Sequence, residues 1–246
     1  ITMFTSLIRK TSCAATLCLA GLLASNASAA DVQFKGNHLT VKFDKQVEED
    51  IQLLTAGLAM VAVVVDGDLF GIYMGVTNIS VKGGPRDDTL EVSAMITGNL
   101  TIKSGAGDDE IYVSGTYHKN VKVSLGDGDD SHYEDGNFLV VGGSYSVKAG
   151  KGKDQLDWDQ HITVGKSMSL HAGAPEAGSA SGEWDVSLGG GYTYTIGNKL
   201  SITLTKRGGQ IAELEGVSAN LLSVRGGKGE DTLDLSEGGN SFGKTK

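Results

Sequence analysis

One short acidic loop recurs along this chain, and its spacing limits the fold more than any other feature. It reads Gly83-Gly84-Pro85-Arg86-Asp87-Asp88, then Gly105-Ala106-Gly107-Asp108-Asp109, Gly126-Asp127-Gly128-Asp129-Asp130, Gly150-Lys151-Gly152-Lys153-Asp154 and Gly226-Gly227-Lys228-Gly229-Glu230-Asp231. The final aspartates Asp88, Asp109, Asp130 and Asp154 follow one another at intervals of 21, 21 and 24 residues. A fixed period of this length is the mark of a solenoid, because one supersecondary unit cannot bury its apolar face alone and must stack on the next.

The flanking residues define the unit. Apolar pairs precede the loop aspartate at Ile79/Val81, Leu100/Ile102, Val121/Val123, Tyr145/Val147 and Leu222/Val224. Others follow at Leu90/Val92, Ile111/Val113, Leu156/Trp158 and Leu233/Leu235, and a third set at Ile96, Tyr117, Phe138 and Ile162. Three short stretches of period-2 alternation per repeat, separated by turns, describe a coil of three strands that closes on itself. Thirty-six glycines, two prolines and few aromatics suit an all-β chain of tight turns. The expected architecture is a single-domain, right-handed parallel β-helix with coils of about 21 residues. Asn78, Asn99 and Asn120 recur in phase, with Ser144 at the next position, and are expected to stack as an amide ladder rather than act as isolated turn formers.

The rest of the chain divides around this core. Residues 1–29 read as a secretory signal rather than a membrane anchor. Arg9 and Lys10 precede an apolar run from Ala14 to Ala24 that is too short to span a bilayer, and the small residues Ala27-Ser28-Ala29 follow. Residues 30–75 are expected to form irregular N-terminal coils that cap the core, 76–171 the regular repeats, 172–190 a loop or insertion, and 191–246 the C-terminal coils and tail. The run from 51 to 65 is apolar but contains Gly57 and ends Val61-Ala62-Val63-Val64-Val65, which favours strand over helix. Both cysteines, Cys13 and Cys18, lie in the signal, so the mature chain has no disulfide and needs another source of rigidity.

The formal net charge is −9, and loss of Arg9 and Lys10 with the signal makes it more negative still. This sign argues against nucleic acid and anionic lipid as partners and favours cations. Stacking would bring equivalent aspartates to about 4.8 Å, where two carboxylates repel by about 1 kcal/mol in water-like surroundings. Oxygen ligands, glycine carbonyls and the lack of Cys or His in the loops select calcium over zinc or copper. The candidate ligands are Asp87, Asp88, Gly105, Gly107, Asp108, Asp109, Gly126, Gly128, Asp129, Asp130, Asp154 and Asp231. The best site is Gly105 to Asp109 stacked on Gly126 to Asp130. Arg86, Lys151, Lys153 and Lys228 offer the other solution, a built-in cation with no metal.

These loops resemble the nonapeptide GGxGxDxUx of the repeats-in-toxin, or haemolysin-type calcium-binding, family. Gly226 to Asp234 matches at every position, and the segments 104–112 and 149–157 match except at the first glycine. The resemblance implies calcium held between stacked loops by the sixth-position aspartates Asp88, Asp109, Asp130, Asp154 and Asp231 and by glycine carbonyls. In that family the nonapeptides run in tandem and export uses a C-terminal signal, whereas here one nonapeptide falls in each coil and the signal stands at the front.

Coil three breaks its pattern at His132 and Glu134. Either these residues and Asp129 form an outward acid/base cluster suited to carbohydrate cleavage, or, as expected here, the strand slips by one residue, turning Tyr133 inward and the charges to water. No serine-hydrolase elbow, zinc-helix motif or phosphate loop occurs, and Gly189-Gly190-Gly191 reads as a turn. The chain is therefore expected to be a secreted or cell-surface, or else periplasmic, non-catalytic calcium-binding module with a structural, adhesive or matrix role. Its partners would be calcium ions and an extracellular polysaccharide or surface component. The alternative is a carbohydrate-active β-helix enzyme, a polysaccharide lyase or glycoside hydrolase, which a groove combining Lys/Arg with carboxylates on one coil face would favour.

Overall fold

A computed structural model describes residues 30–57, 59–134, 138–173, 185–204, 210–227, 230–236 and 238–246. The export signal expected over 1–29 lies outside them. The described residues are all β, stacked as a solenoid of about six turns. Three parallel sheets run along its length. The first stacks His38–Lys42, Asn78–Lys82, Leu100–Ala106, Val121–Asp127, Tyr145–Lys148 and Met168–His171, followed by 199–203 and 221–225. The second stacks Asp50–Gly57, Thr89–Ile96, Glu110–Tyr117, Ser131–Glu134, Gln155–Trp158, Asp185–Leu188, Ile211–Leu214 and Thr232–Asp234. The third is made from 94–96, 115–117, Phe138–Val141, His161–Val164, 194–196 and 217–219, with Ser241–Thr245 closing the end.

Alternation decides what goes inside. Leu39/Val41, Ile79/Val81, Leu100/Ile102 and Val121/Val123 line the first sheet's inner face, and Ile51/Leu53, Leu90/Val92 and Ile111/Val113 the second's, all buried in one continuous core. Burial of each such side chain stabilises by about 1.5–3 kcal/mol relative to exposure. Leu233 and Leu235, expected inside, are 38% exposed, and among the described residues no strand pairs beyond Thr232–Asp234 in the second sheet to cover them.

The first coil is built differently from the rest. Asp31–Lys35 pairs antiparallel with His38–Lys42, and Asp50–Gly57, Met60–Val65 and Asp68–Met74 form an antiparallel meander. Only His38–Lys42 and Asp50–Gly57 join the parallel stacks, so the N-terminal cap is two antiparallel units, not a run of irregular coils. Downstream, Asp185–Leu188 is a regular strand within the stretch expected to be loop; residues 174–184 lie outside the described part.

Coil three departs from both expectations for it. His132 pairs with Ile111 and Leu156, so the register does not slip, and its ring is fully buried. Its Nδ1 lies 2.9 Å from the Ile111 carbonyl and its Nε2 2.6 Å from the Tyr145 hydroxyl. Trp158 stacks on Tyr145 with ring centroids 5.7 Å apart. Tyr133 points outward and stacks on Tyr112 at 5.2 Å. His132 is thus a core residue held by an aromatic nest, out of reach of a substrate. Phe138, expected inside, is 45% exposed, and Leu139 and Val141 fill the column opposite Gly115 and Tyr117. The offset from the preceding coil grows from 21 residues at His132 to 24 at Leu139, so the three extra residues fall before Phe138 and Val141 takes the place opposite Tyr117.

The asparagine column forms as expected. Oδ1 of Asn78 accepts from the Asn99 amide and Nδ2 at 3.0 and 3.2 Å, and Oδ1 of Asn99 accepts from the Asn120 amide and Nδ2 at 3.2 and 3.1 Å. Asn120 passes the pattern to the Ser144 amide at 2.9 Å. Replacing Asn99 with alanine orphans the Asn120 amide and side chain together. Urea unfolding of Asn99→Ala is expected to lose about 1–3 kcal/mol, while Asn99→Asp, which keeps the acceptor, loses less.

Candidate functional site

The acidic loops lie where the first sheet turns into the second, and they build two aspartate columns. In the inner column the Asp88 amide donates to Oδ1 of Asp109 at 2.9 Å, the Asp109 amide to Oδ1 of Asp130 at 2.9 Å, and the Asp130 amide to Oδ1 of Asp154 at 3.2 Å. The outer column runs in the opposite sense. The Asp108 amide donates to Asp87, the Asp129 amide to Asp108, both at 2.8 Å, and the Lys153 amide to Asp129 at 2.7 Å. Outer carboxylates face water; inner ones are buried, with Asp109 and Asp130 each 1% exposed.

Glycine permits this approach. Gly105 and Gly126 adopt φ of +131° and +135°, and a Cβ on either would sit 2.0 Å from a carbonyl oxygen of the previous coil. Their strands, Leu100–Ala106 and Val121–Asp127, run on into the loop, whereas those in neighbouring coils stop at Lys82 and Lys148. That difference decides which carboxylates are satisfied. Where the strand stops early, a loop glycine turns its amide back onto the second carboxylate oxygen: Gly84 onto Asp88 at 3.3 Å and Gly150 onto Asp154 at 3.0 Å. Gly227 does the same for Oδ2 of Asp231 at 2.8 Å, although Oδ1 of Asp231, like Oε1 of Glu49, is buried without a hydrogen-bond partner. In the two extended loops Oδ2 of Asp109 and of Asp130 is buried without a hydrogen-bond partner. The Ser104 hydroxyl beside Asp109 has one proton and gives it to the Leu125 carbonyl.

Burial therefore dominates the electrostatics. It pushes Asp109 and Asp130 up to about 7 and Asp154 to about 6, against the opposing pull of the amide hydrogen bonds. Neighbouring carboxylates raise them further: Asp88 and Asp87 act on Asp109, and Asp154, Asp109 and Asp108 on Asp130. Asp88 is raised by burial as well.

Two members of the column carry no acidic-loop motif. Glu49 occupies the equivalent position in the first coil, where it is buried, gives its amide to Oδ1 of Asp88 at 3.2 Å and is raised by burial. Its place two residues before the inward pair Ile51/Leu53 repeats that of Asp88 before Leu90/Val92, which is the signal a glycine-based search passes over. Buried Gln210 stacks directly beneath Asp231 through the pairing of Ile211 with Thr232. Asp231 is thereby separated from Asp154, and the structure brings Glu49, Asp88, Asp109, Asp130 and Asp154 together but not Asp231. Lys151 forms an ion pair with Asp127 across coils, the built-in cation expected of this loop.

The two extended loops fit an oxygen-seeking cation chemically, because each holds a desolvated carboxylate oxygen with nothing to neutralise it. The carboxylates are strung one per coil. Among the described residues no three His, Cys, Asp or Glu side chains converge on one point, so any ion there would need glycine carbonyls to complete its shell.

Without metal the sign of the pH dependence is fixed. Between the unfolded value of 3.8 and the folded value of about 7, native Asp109 and Asp130 hold protons that the unfolded chain has released, so stability falls as pH rises through this window. Urea unfolding in chelator is expected to give a lower midpoint at about pH 8 than at about pH 5, and Asp109→Asn/Asp130→Asn is expected to flatten that slope and to be the more stable chain at the higher pH. An unchanged slope in the variant would mean that other groups carry it.

Comparison with protein-family models, with curated proteins and with solved structures finds no match, so the reading of this site rests on its own geometry.

Proposed function

We propose that this chain is an exported, non-catalytic β-solenoid module that takes up calcium along its acidic loop edge and serves a structural, adhesive or matrix role. One observation carries the reading. Asp109 and Asp130 are neighbours in the column, each leaves a buried carboxylate oxygen without a hydrogen-bond partner, and they are the pair whose composition favours calcium and whose spacing resembles the calcium-binding nonapeptide. Asp109 and Asp130, with Asp108, Asp129 and carbonyls of Gly105, Gly107, Gly126 and Gly128, are the residues that would hold the ion. Bound calcium would supply the positive charge that burial and stacking demand, replacing the protons these groups retain near neutrality.

The alternative of a carbohydrate-active enzyme loses its candidate acid/base residue, since His132 is sealed in the core. Among the described residues, one open cleft runs along the asparagine corner and another lies beside Glu213 and Glu215, and neither joins Lys or Arg to a carboxylate pair. This supports the module over the enzyme.

Calcium must compete with protons for the ladder, so its effect is expected above the folded-state values of about 7. At about pH 8, calcium at 100 times its dissociation constant is expected to add about 2.7 kcal/mol over chelator, read as a rise of several degrees in the thermal midpoint. Asp109→Asn/Asp130→Asn should lose that increment. An unmoved midpoint in the native sequence would leave the loops as metal-free turns.

A further inference from the structure

The three sheets segregate charge by sign. The first-sheet segments from His38–Lys42 through 221–225 contain one acidic residue, Asp127, which Lys151 pairs at the loop end of its strand. Their outward positions stack Lys42, Lys82 and Lys103 in consecutive coils, then Lys148 and Arg225 in the same column, with Lys122 one pleat away. The second-sheet segments contain no Lys or Arg. Their outward positions carry Glu91, Asp157, Glu213 and Asp234 in one column, with Glu110 beside it. The third face is uncharged at Met95, Thr116, Val140, Thr163 and Thr195.

Each charged face is unfavourable by itself. Lys42, Lys82 and Lys103 in the basic column, and Glu213 and Asp234 in the acidic one, fall in consecutive coils, where like charges about 4.8 Å apart repel by about 1 kcal/mol per neighbour even in water. Tyr112, Tyr133 and Ser187 separate the other carboxylates. Lys42 is relieved by Asp31 at 2.9 Å on the capping strand. Among the described residues Lys82, Lys103, Lys122, Lys148 and Arg225 have no ion-pair partner, and Lys148 acts on stacked His171 as a like charge, lowering its proton affinity together with burial. The two faces look in different directions from one solenoid, so a single copy cannot pair them.

We propose that the basic face of one copy docks against the acidic face of a second copy, side by side along the solenoid axis. Both faces are ruled at the same inter-coil spacing, and charges fall in the same coils of each: with axes parallel and no offset, Lys82, Lys148 and Arg225 of one copy meet Glu91, Asp157 and Asp234 of the other. Screening at physiological salt, about 8 Å, removes most repulsion from the excess negative charge elsewhere while leaving the contact itself. Because the two surfaces differ, the contact is heterologous, so copies add head to tail, into a ring where the rotation per step closes and into an open row where it does not. This rests on the module reading and gives its structural or matrix role a mechanism. A linear polyanion is the competing occupant of the basic face alone; it leaves the acidic face unexplained, and the face has no outward aromatic side chain on which nucleic-acid bases could stack.

Sedimentation velocity of the mature chain tests this. At low ionic strength the sedimentation coefficient is expected to rise with concentration, and in about 1 M salt, where screening extends only about 3 Å, to return to the monomer value. Lys82→Glu/Lys103→Glu/Lys148→Glu and Glu91→Lys/Glu110→Lys/Glu213→Lys, each checked for folding by circular dichroism, should be monomeric separately and associate when mixed. A native chain monomeric at low salt, variants that associate alone, or a mixture that stays monomeric would overturn the proposal. So would a monomeric native chain that binds heparin through the basic face, which would assign that face to a polyanion. None of these results touches the calcium-dependent thermal midpoint, so the module reading stands or falls separately.

Discussion

Every part of this molecule depends on the hydrogen-bond ladder between successive coils, which sets equivalent residues about 4.8 Å apart and stacks like on like. For apolar residues that repetition is favourable, and columns such as Ile51, Leu90 and Ile111 merge into one core without a disulfide among them. For amides it is favourable too, since an asparagine both donates and accepts and can satisfy its own copy above and below. For carboxylates it is not, because an ionised carboxylate only accepts. The backbone amides that feed the aspartate columns supply one donor per residue, and one donor does not offset near-complete burial.

The chain meets that problem differently from coil to coil. Asp88 and Asp154 gain a second donor when the strand ends early and a glycine amide turns back, and Asp231 gains one donor in the same way. Gln210 replaces the charge outright beneath Asp231. Lys151 neutralises Asp127 from the next coil. Asp109 and Asp130 have none of these, and their high proton affinity is the direct result. Two adjacent buried carboxylates with neither a second donor nor a cation are the kind of local inconsistency expected at a functional site rather than in the scaffold.

The fold was largely legible because the 21-residue period and the period-2 segments depend on local sequence alone, and so was the asparagine ladder. What escaped was set by neighbours. His132 looked misplaced in an apolar column because its partners, the Ile111 carbonyl and the Tyr145 hydroxyl, are brought to it only by stacking. Phe138 was misread because the extra residues of coil three sit just before it, where Asp135-Gly136-Asn137 is a turn signal that a fixed 21-residue spacing passes over. Glu49 and Gln210 belong to the acidic column without its glycine signature, as the cap and the later coils reach the same corner by other turns. The antiparallel pairing of the first coil was invisible for a related reason: alternation fixes which residues face inward but not the direction of the neighbouring strand.

Segregation of charge follows from the same geometry and could not be seen along the chain, where lysines and carboxylates alternate every dozen residues and average out. Folding sorts them, because outward positions of one sheet recur at one phase of the coil and those of the next sheet at another. The acidic loops occupy the corner between the basic and the acidic faces. A cation held there would add positive charge at the boundary of the two surfaces, so the state of Asp109 and Asp130 bears on more than coil stability. It sets how sharply one sign gives way to the other at the edge where neighbouring copies would meet.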